Sequence, residues 1–241
     1  MLVINKRIKY THNIDEYVVG RRAARRARQR CAVYRFFKAV MDRLIALLGL
    51  IILFLPLLIV AIAIRIDSRG PAVFRQVRIG KNQKPFMLYK FRTMKSIHVR
   101  FDIKHPVIED NNENLTRVGR NIRKLKIDEL LQLVNVLKGD MSLIGPRPLM
   151  PVYLPQYEPW EKQKFNVRPG MSGLSQIKGN GHLDSIERSY YDVLYARKVT
   201  FAKDAEILFK TIGVIIRGEE KYLTPVPEEK IIEMREFFKE E

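Results

Sequence analysis

"LIALLGLIILFLPLLIVAIAI", residues 44–64, runs for 21 residues without a charged side chain. As an α-helix the run is roughly 30 Å long, the thickness of a bilayer's hydrocarbon core, and stretches this long and pure belong in lipid rather than in a soluble core. A cleaved leader is not expected, because 43 residues precede the run and it exceeds the apolar stretch of a signal peptide. Basic residues flank both ends: Arg21, Arg22, Arg25, Arg26, Arg28, Arg30, Arg35, Lys38 and Arg43 before it, and Arg65, Arg69, Arg75, Arg78, Lys81 and Lys84 after it. A spanning helix carries its basic flank on the cytoplasmic side only, so two basic flanks predict a helix that enters and returns on one side. Pro56 offers the bend, since it lacks an N–H and clashes with the carbonyl four residues back.

Outside this run the chain is strongly basic, with 44 Lys and Arg against 26 Asp and Glu and a formal charge of +18 over 241 residues. That balance calls for a polyanionic partner: nucleic acid, a phosphorylated substrate or an anionic membrane surface. Residues 21–43 alternate arginines with small and aromatic residues directly before the membrane segment, which favours anionic membrane lipids. No nucleic-acid motif accompanies the charge, and no nucleic acid partner is expected. The single cysteine, Cys31, excludes an intramolecular disulfide and a multi-cysteine zinc site. His12, His98, His105 and His182 lack metal-binding spacing, and there is no Walker loop.

Coarse periodicity supplies the rest. Residues 72–94 read as a β-hairpin around Gly-Lys-Asn-Gln-Lys, and 101–114 as a polar loop. Thr116 to Lys126 is basic and helical, and Asp128 to Lys138 forms an amphipathic helix with Leu130, Val134 and Leu137 that stops at Gly139. Between Met150 and Trp160, three prolines break regular structure, while Tyr153, Tyr157 and Trp160 suit a membrane interface. Two helices fill 185–217; the second, from Asp204, carries Ile207, Leu208, Thr211, Ile212 and Ile215 on one face and ends at Gly218. Pro227 to Glu241 is a short amphipathic helix. The fold class is α+β, mainly helical: a monotopic membrane protein with an N-terminal re-entrant membrane helix, a small β-hairpin and amphipathic interfacial helices. Its expected divisions are a basic extension (1–35), the membrane helix (36–66), a cytosolic core (67–220) and a C-terminal tail (221–241).

Two adjacent acids, Asp128 and Glu129, open the 128–138 segment. Both are ordinary residues for a helix start, where they complement the helix dipole. A carboxylate there, close to Arg123, Lys124 and Lys126, also stays ionised and can attack phosphorus. "GPRP", 145–148, holds Arg147 between prolines, and its planar guanidinium matches phosphate oxygens. "VRPGMSG", 167–173, repeats the device with Arg168, followed by glycines that let backbone N–H groups approach an anion.

"FRQVRIGKNQKPFMLYKFRTM" (74–94), "LTRVGRNIRKLKIDELLQLVNVLKGDMSLIGPRPL" (115–149) and "RPGMSGLSQIKG" (168–179) together resemble the bacterial sugar transferases, the small monotopic phosphoglycosyl transferases that act on polyprenyl phosphate. The resemblance runs from about Phe36 to Arg217. It implies transfer of a phosphosugar from a UDP-sugar to undecaprenyl phosphate at the cytoplasmic face of the bacterial inner membrane, with Mg²⁺ as cofactor. It makes Asp128 the nucleophile of a covalent intermediate and Glu129 its partner, both at the metal. Phosphate and substrate contacts are implied at Arg147, Arg168, Lys90, Arg92, Arg120, Arg123, Gln176 and Asn180. Lys38, Asp42, Arg43 and Pro56 match the membrane helix, with Asp42 expected to pair with a cation. A homodimer is allowed. The pattern departs at Leu131, where the family has proline and a straighter helix is expected here, at Lys126, and at "KGNG", which lacks an arginine beside Asn180. The contrasting reading is a non-catalytic membrane-bound adaptor that binds anionic lipid or a partner protein.

Overall fold

The computed structural model describes residues 21–95 and 112–239, with side chains from Val33 onward. The expectations for residues 1–20, for most of the 101–114 loop and for the arginines of 21–32 lie outside the described residues.

One helix, α1 (Arg21–Asp67), carries the apolar run and extends it in both directions. Within it Ala46, Leu50, Leu53, Leu57, Val60 and Ile64 recur at alternating steps of four and three, a seam on one side of a helix. The seam packs on Leu88, Phe91, Ile122, Leu133, Val136 and Met141. The other faces stay bare: Leu44, Leu48, Ile51, Ile52, Phe54, Leu55, Ile59 and Ile62 are exposed. From Val33 the helix is long and apolar enough to cross a membrane. Pro56 lies inside α1 without ending it, so the break expected at that residue is absent from the secondary structure. A proline removes one ladder bond and leaves its neighbours free to continue the helix.

Both ends of α1 are tied to the same body of protein. Near its start the Tyr34 hydroxyl donates to Asp204 (2.8 Å), Lys38 pairs with Asp204 (2.9 Å) and Asp42 (3.5 Å), and buried Asp42 accepts from the Ser142 hydroxyl. Arg35 donates to the Ala196 carbonyl, and the Arg43 guanidinium lies against Gly139, so each arginine meets the C-terminal end of another helix, where a cation complements the dipole. At the far end Asp67 accepts from the Val118 N–H at 2.9 Å, and Arg92 donates to the carbonyls of Ser68 and Arg69.

After α1 come β1 (Val73–Ile79) and β2 (Pro85–Phe91), the expected antiparallel hairpin, in register from Val73 opposite Phe91 to Ile79 opposite Pro85. Helices α2 (Arg117–Lys124) and α3 (Gln132–Lys138) follow, with Thr116 capping α2 through the Gly119 N–H. Asn135, fully buried, stitches α3 to β2: its side chain accepts from the Tyr89 N–H (3.0 Å) and donates to the Met87 carbonyl (2.7 Å). Asn135→Leu leaves both strand groups buried without partners, and the expected loss is about 2–4 kcal/mol in a urea unfolding titration. An unchanged midpoint would show that water replaces the amide.

Two short strands absent from the sequence reading, β3 (Ser142–Ile144) and β4 (Gly170–Ser172), pair in parallel. Gly145 and Gly170 cross here so closely that a Cβ on Gly170 would overlap the Gly145 backbone nitrogen, which is why both lack side chains. Helices α4 (Ser185–Arg197), α5 (Phe201–Arg217) and α6 (Glu228–Phe237) close the core. The face expected of α5 divides in two. Ile207 and Val214 turn inward, and Thr211 meets Ser172 (2.6 Å), whereas Leu208, Ile212 and Ile215 are exposed with Phe209 and Ile216. Trp160 does not sit at an interface: only 2% exposed, it packs with Val193 and Met234 between α4 and α6.

Candidate active site

The acid pair lies on a turn rather than at a helix start. After α2 the chain reverses at Lys126, whose φ of 57° is left-handed, and winds through a 3-10 turn over Ile127–Glu129 before α3 begins at Gln132. The helix expected from Asp128 to Lys138 therefore starts only at Gln132, although it stops at Gly139 as expected. Bonds from Leu130 N–H to Ile127 O and from Val134 N–H to Leu131 O span three residues and tighten the winding. The result points Asp128 inward, 8% exposed, and Glu129 towards the hairpin.

Glu129 is held by cations: Lys90 Nζ lies 2.6 Å from its Oε1 and Arg147 Nη2 3.7 Å. Burial alone would raise the Glu129 carboxyl, but Lys90 and Arg147 outweigh it and hold it down to about 2. Asp128 moves the other way. Burial first, and the neighbouring Glu129 charge second, push its carboxyl up to about 6 against the pull of Lys90, Arg123 and Lys126. The expectation that basic neighbours keep it fully ionised is thus corrected, because lost hydration exceeds their attraction. Its Oδ1 is buried with no hydrogen-bond partner. One acid is a fixed charge, and the other is a poised, unsatisfied oxygen.

Beside Glu129 opens a shallow cleft lined by Arg78, Lys90, Glu129, Gln132, Arg147 and Gly170. Three cations face one carboxylate, an excess suited to phosphate groups. Arg78 was not singled out from the sequence. It donates to Gln76 Oε1 (2.7 Å) and the Pro148 carbonyl (3.3 Å), while Ile79 N–H donates to Leu149 O, so β1 carries it to the Gly-Pro-Arg-Pro corner. Burial and the adjacent Arg147 pull its guanidinium down to about 10, a crowding of like charge that an anion would relieve. The sequence hides it, because strand alternation groups Arg78 with Gln76 opposite the apolar Val73, Val77 and Ile79.

The remaining candidates separate. Arg123 lies within electrostatic reach of Asp128, and Arg120 is exposed on α2. Arg92 is buried at the end of α1, away from the cleft lining. Arg168, although its backbone interlocks with Gly145, does not line the cleft, and its guanidinium lies within electrostatic reach of Arg43 and Asp42 of α1. Gln176 donates to the Met171 carbonyl (3.2 Å) and leaves its Oε1 buried without a partner. Asn180 lies within electrostatic reach of Glu219, which pairs with Lys126 at 2.8 Å; Glu219 was missed because nothing local distinguishes it among the charged residues that follow α5.

Among the described residues no three His, Cys, Asp or Glu side chains gather into a metal cluster. The Asp128 Oδ1, orphaned and buried, nevertheless fits a magnesium ion, which takes one or two carboxylates and draws its other ligands from substrate phosphates and water.

The bacterial sugar transferase family matches residues 33–218. Relatives include the UDP-N-acetylgalactosamine-undecaprenyl-phosphate N-acetylgalactosaminephosphotransferase of Aeromonas hydrophila, 39% identical over 77% of this chain and 45% of that protein. The UDP-glucose:undecaprenyl-phosphate glucose-1-phosphate transferase of Caulobacter vibrioides is 38% identical over 77% of the chain and 72% of its own length. The undecaprenyl-phosphate galactose phosphotransferase of Salmonella typhimurium is 37% identical over 78% and 42%. The chain spans less than half the length of the Aeromonas and Salmonella relatives.

Proposed function

Because the chain belongs to the bacterial sugar transferase family, we propose that it moves a sugar phosphate from a UDP-sugar to undecaprenyl phosphate, releasing UMP and starting a lipid-linked bacterial glycan. The relatives named for N-acetylgalactosamine, glucose and galactose phosphate transfer support the reaction class and leave the sugar to be assayed. The observation that carries the reading is the buried, unpartnered Asp128 oxygen, within electrostatic reach of Lys90 and next in the chain to the Glu129 that lines a three-cation cleft.

An ionised Asp128 oxygen attacks the phosphorus bearing the sugar; the bond from that phosphorus to the UMP oxygen breaks, and UMP leaves with the electron pair. An oxygen of undecaprenyl phosphate then attacks the same phosphorus, and the Asp128 carboxylate departs. The acceptor is already an oxyanion, so the step needs no strong base. Lys90, Arg147 and Arg78 orient the diphosphate and stabilise charge on its oxygens, and Glu129 fixes Lys90 and Arg147 in place. Asp128 and Glu129 would hold the Mg²⁺, whose contribution when bound would be to neutralise charge on the leaving UMP.

The same reading places the core on the cytoplasmic face of the inner membrane, with α1 embedded from that side. What supports it is that Tyr34 and Asp67, near opposite ends of the apolar helix, both bind one core; a helix spanning about 30 Å of hydrocarbon would put them on opposite sides. The bare faces of α1 and α5 supply the lipid contact, with the basic segment before them meeting anionic head groups.

The test is UMP release by detergent-solubilised protein with undecaprenyl phosphate, Mg²⁺ and a panel of UDP-sugars. One or two sugars should turn over, and silence across the panel with folded protein would overturn the reading. With the active sugar, kcat/KM should be flat above about pH 7 and fall about tenfold per unit below about pH 6, since protonation of Asp128 removes the nucleophile while Glu129 stays ionised throughout. A profile flat down to pH 4.5 would show that the Asp128 carboxyl is not raised in the working enzyme.

A further inference from the structure

We propose that Glu219 is a positioning residue that holds Lys126 in its left-handed conformation and so sets the turn carrying Asp128 and Glu129. Among the described residues only four other than glycine have positive φ. Asn82 and Gln83 belong to the hairpin turn, where neighbours along the chain suffice. Lys126 (φ 57°) and Asn180 (φ 44°) come from separate segments; the Lys126 ammonium pairs with Glu219 Oε1 at 2.8 Å, and Asn180 lies within electrostatic reach of the same carboxylate. A side chain with a Cβ pays in strain for this conformation, which persists only where surrounding contacts over-determine it. At Lys126 the contact that arrives from outside its own segment is the Glu219 carboxylate.

Lys126 is also the hinge of the site. Its N–H donates to the Arg123 carbonyl (3.0 Å), closing α2, and its carbonyl accepts from the Glu129 N–H (3.2 Å), opening the acid turn. Changing the sign of its φ would break this geometry at both sides and swing the acid pair away from Lys90 and Arg147. Glu219 is itself anchored: it follows Gly218, where α5 ends, and the next segment is tied down by the Thr224 N–H on the Lys178 carbonyl at 2.9 Å. The Glu219 carboxyl lies below its ordinary value, with burial opposed by the Lys126 hydrogen bond and charge, so the pair is ionised in use. A part-exposed ion pair of this kind adds little to global stability. Its effect is therefore local, confined to the turn.

The inference rests on the phosphotransfer reading only where activity is measured, and two readouts keep them separate. The first is hydrogen–deuterium exchange of the peptide spanning 124–132, which requires no substrate. Glu219→Ala should speed exchange there about tenfold or more, and Lys126→Gly, whose glycine adopts positive φ freely, should abolish that sensitivity to Glu219. The second is UMP release. Glu219→Ala should lower kcat about tenfold with KM little changed, because a misplaced nucleophile loses rate rather than binding. In the Lys126→Gly background the same substitution should cost less than about twofold, a coupling read as a double-mutant cycle. Glu219→Gln, which keeps an acceptor for Lys126, should lose less than the alanine variant and serves if the latter fails to fold, as judged by the fluorescence melt of buried Trp160. Unchanged exchange in Glu219→Ala, or equal kcat losses in both backgrounds, overturns the assignment; the latter would mean that Glu219 touches substrate. Inactive wild-type protein would fail the reaction reading and leave the exchange test decisive for Glu219.

Discussion

Asp128→Asn should lower UMP release by about 10³-fold or more while the protein stays folded. The amide has the carboxylate's shape but cannot form the bond to phosphorus, and no other described acid is placed to replace it: Glu129 is clamped by Lys90 at 2.6 Å with Arg147 beyond. Stability should move in the opposite direction from activity. Burial raises the Asp128 carboxyl to about 6 in the folded protein, above its value in an unfolded chain, so its ionised form opposes folding, and this cost is fully present above about pH 7. A neutral side chain removes it. At pH 8 the variant should therefore melt at or above the wild-type temperature, the pattern of a residue kept for chemistry at the expense of stability. Retained activity would remove Asp128 as the nucleophile and leave the acid pair as a turn-former. Incubation with UDP-sugar in the absence of lipid acceptor provides the complementary result: intact-mass measurement should find one sugar phosphate on the wild-type chain and none on the variant.

Lys90→Met should damage both properties. Lys90 and Glu129 are less than a fifth exposed, and removing the ammonium leaves a buried carboxylate with only Arg147 at 3.7 Å to balance it. Breaking such a pair costs about 2–4 kcal/mol, somewhat under the figure for a fully buried pair because water still reaches its edge. Activity should fall about 10²-fold as the cleft loses one of its three cations. Glu129→Gln added to Lys90→Met should recover most of the stability, since the unpaired charge disappears, and none of the activity. Denaturant titration and UMP release on the three variants distinguish these effects. A double variant as unstable as Lys90→Met alone would show that Lys90 acts by packing its stem on the hairpin rather than by its charge.

Much of this site is legible along the chain because its parts are local. The acid pair, the proline-flanked Arg147 and the hairpin bearing Lys90 each occupy a few consecutive residues, and turn and cap chemistry is written in neighbours. Arg168 shows where that ends. Its motif resembles that of Arg147, and the two loops do interlock at Gly145 and Gly170 through the parallel pairing of β3 with β4, yet its guanidinium lies within electrostatic reach of α1 and does not line the cleft. Arg92, equally basic and close to the hairpin motif, closes the end of α1 instead. Chain-local pattern identifies a guanidinium but not the direction in which tertiary packing aims it.

The membrane run marks the same boundary from the opposite side. Its length, lack of charge and basic flanks are sufficient by themselves for a lipid-facing helix, since the hydrophobic effect depends on area and not on partners. The hairpin, α2 and the helices after Asp184 likewise follow from periodicity and caps, and the acids and Arg147 from their residue types. Which face of α1 binds the core was beyond reach, because a helix apolar on every side has no periodicity to read; only the surfaces of β2, α2 and α3 select the Ala46 to Ile64 seam. The same holds for the Asp128 proton, Arg78 and Glu219. Burial, crowding of like charge and an ion pair arise between segments far apart in the chain, so they exist only once the fold has brought those segments together.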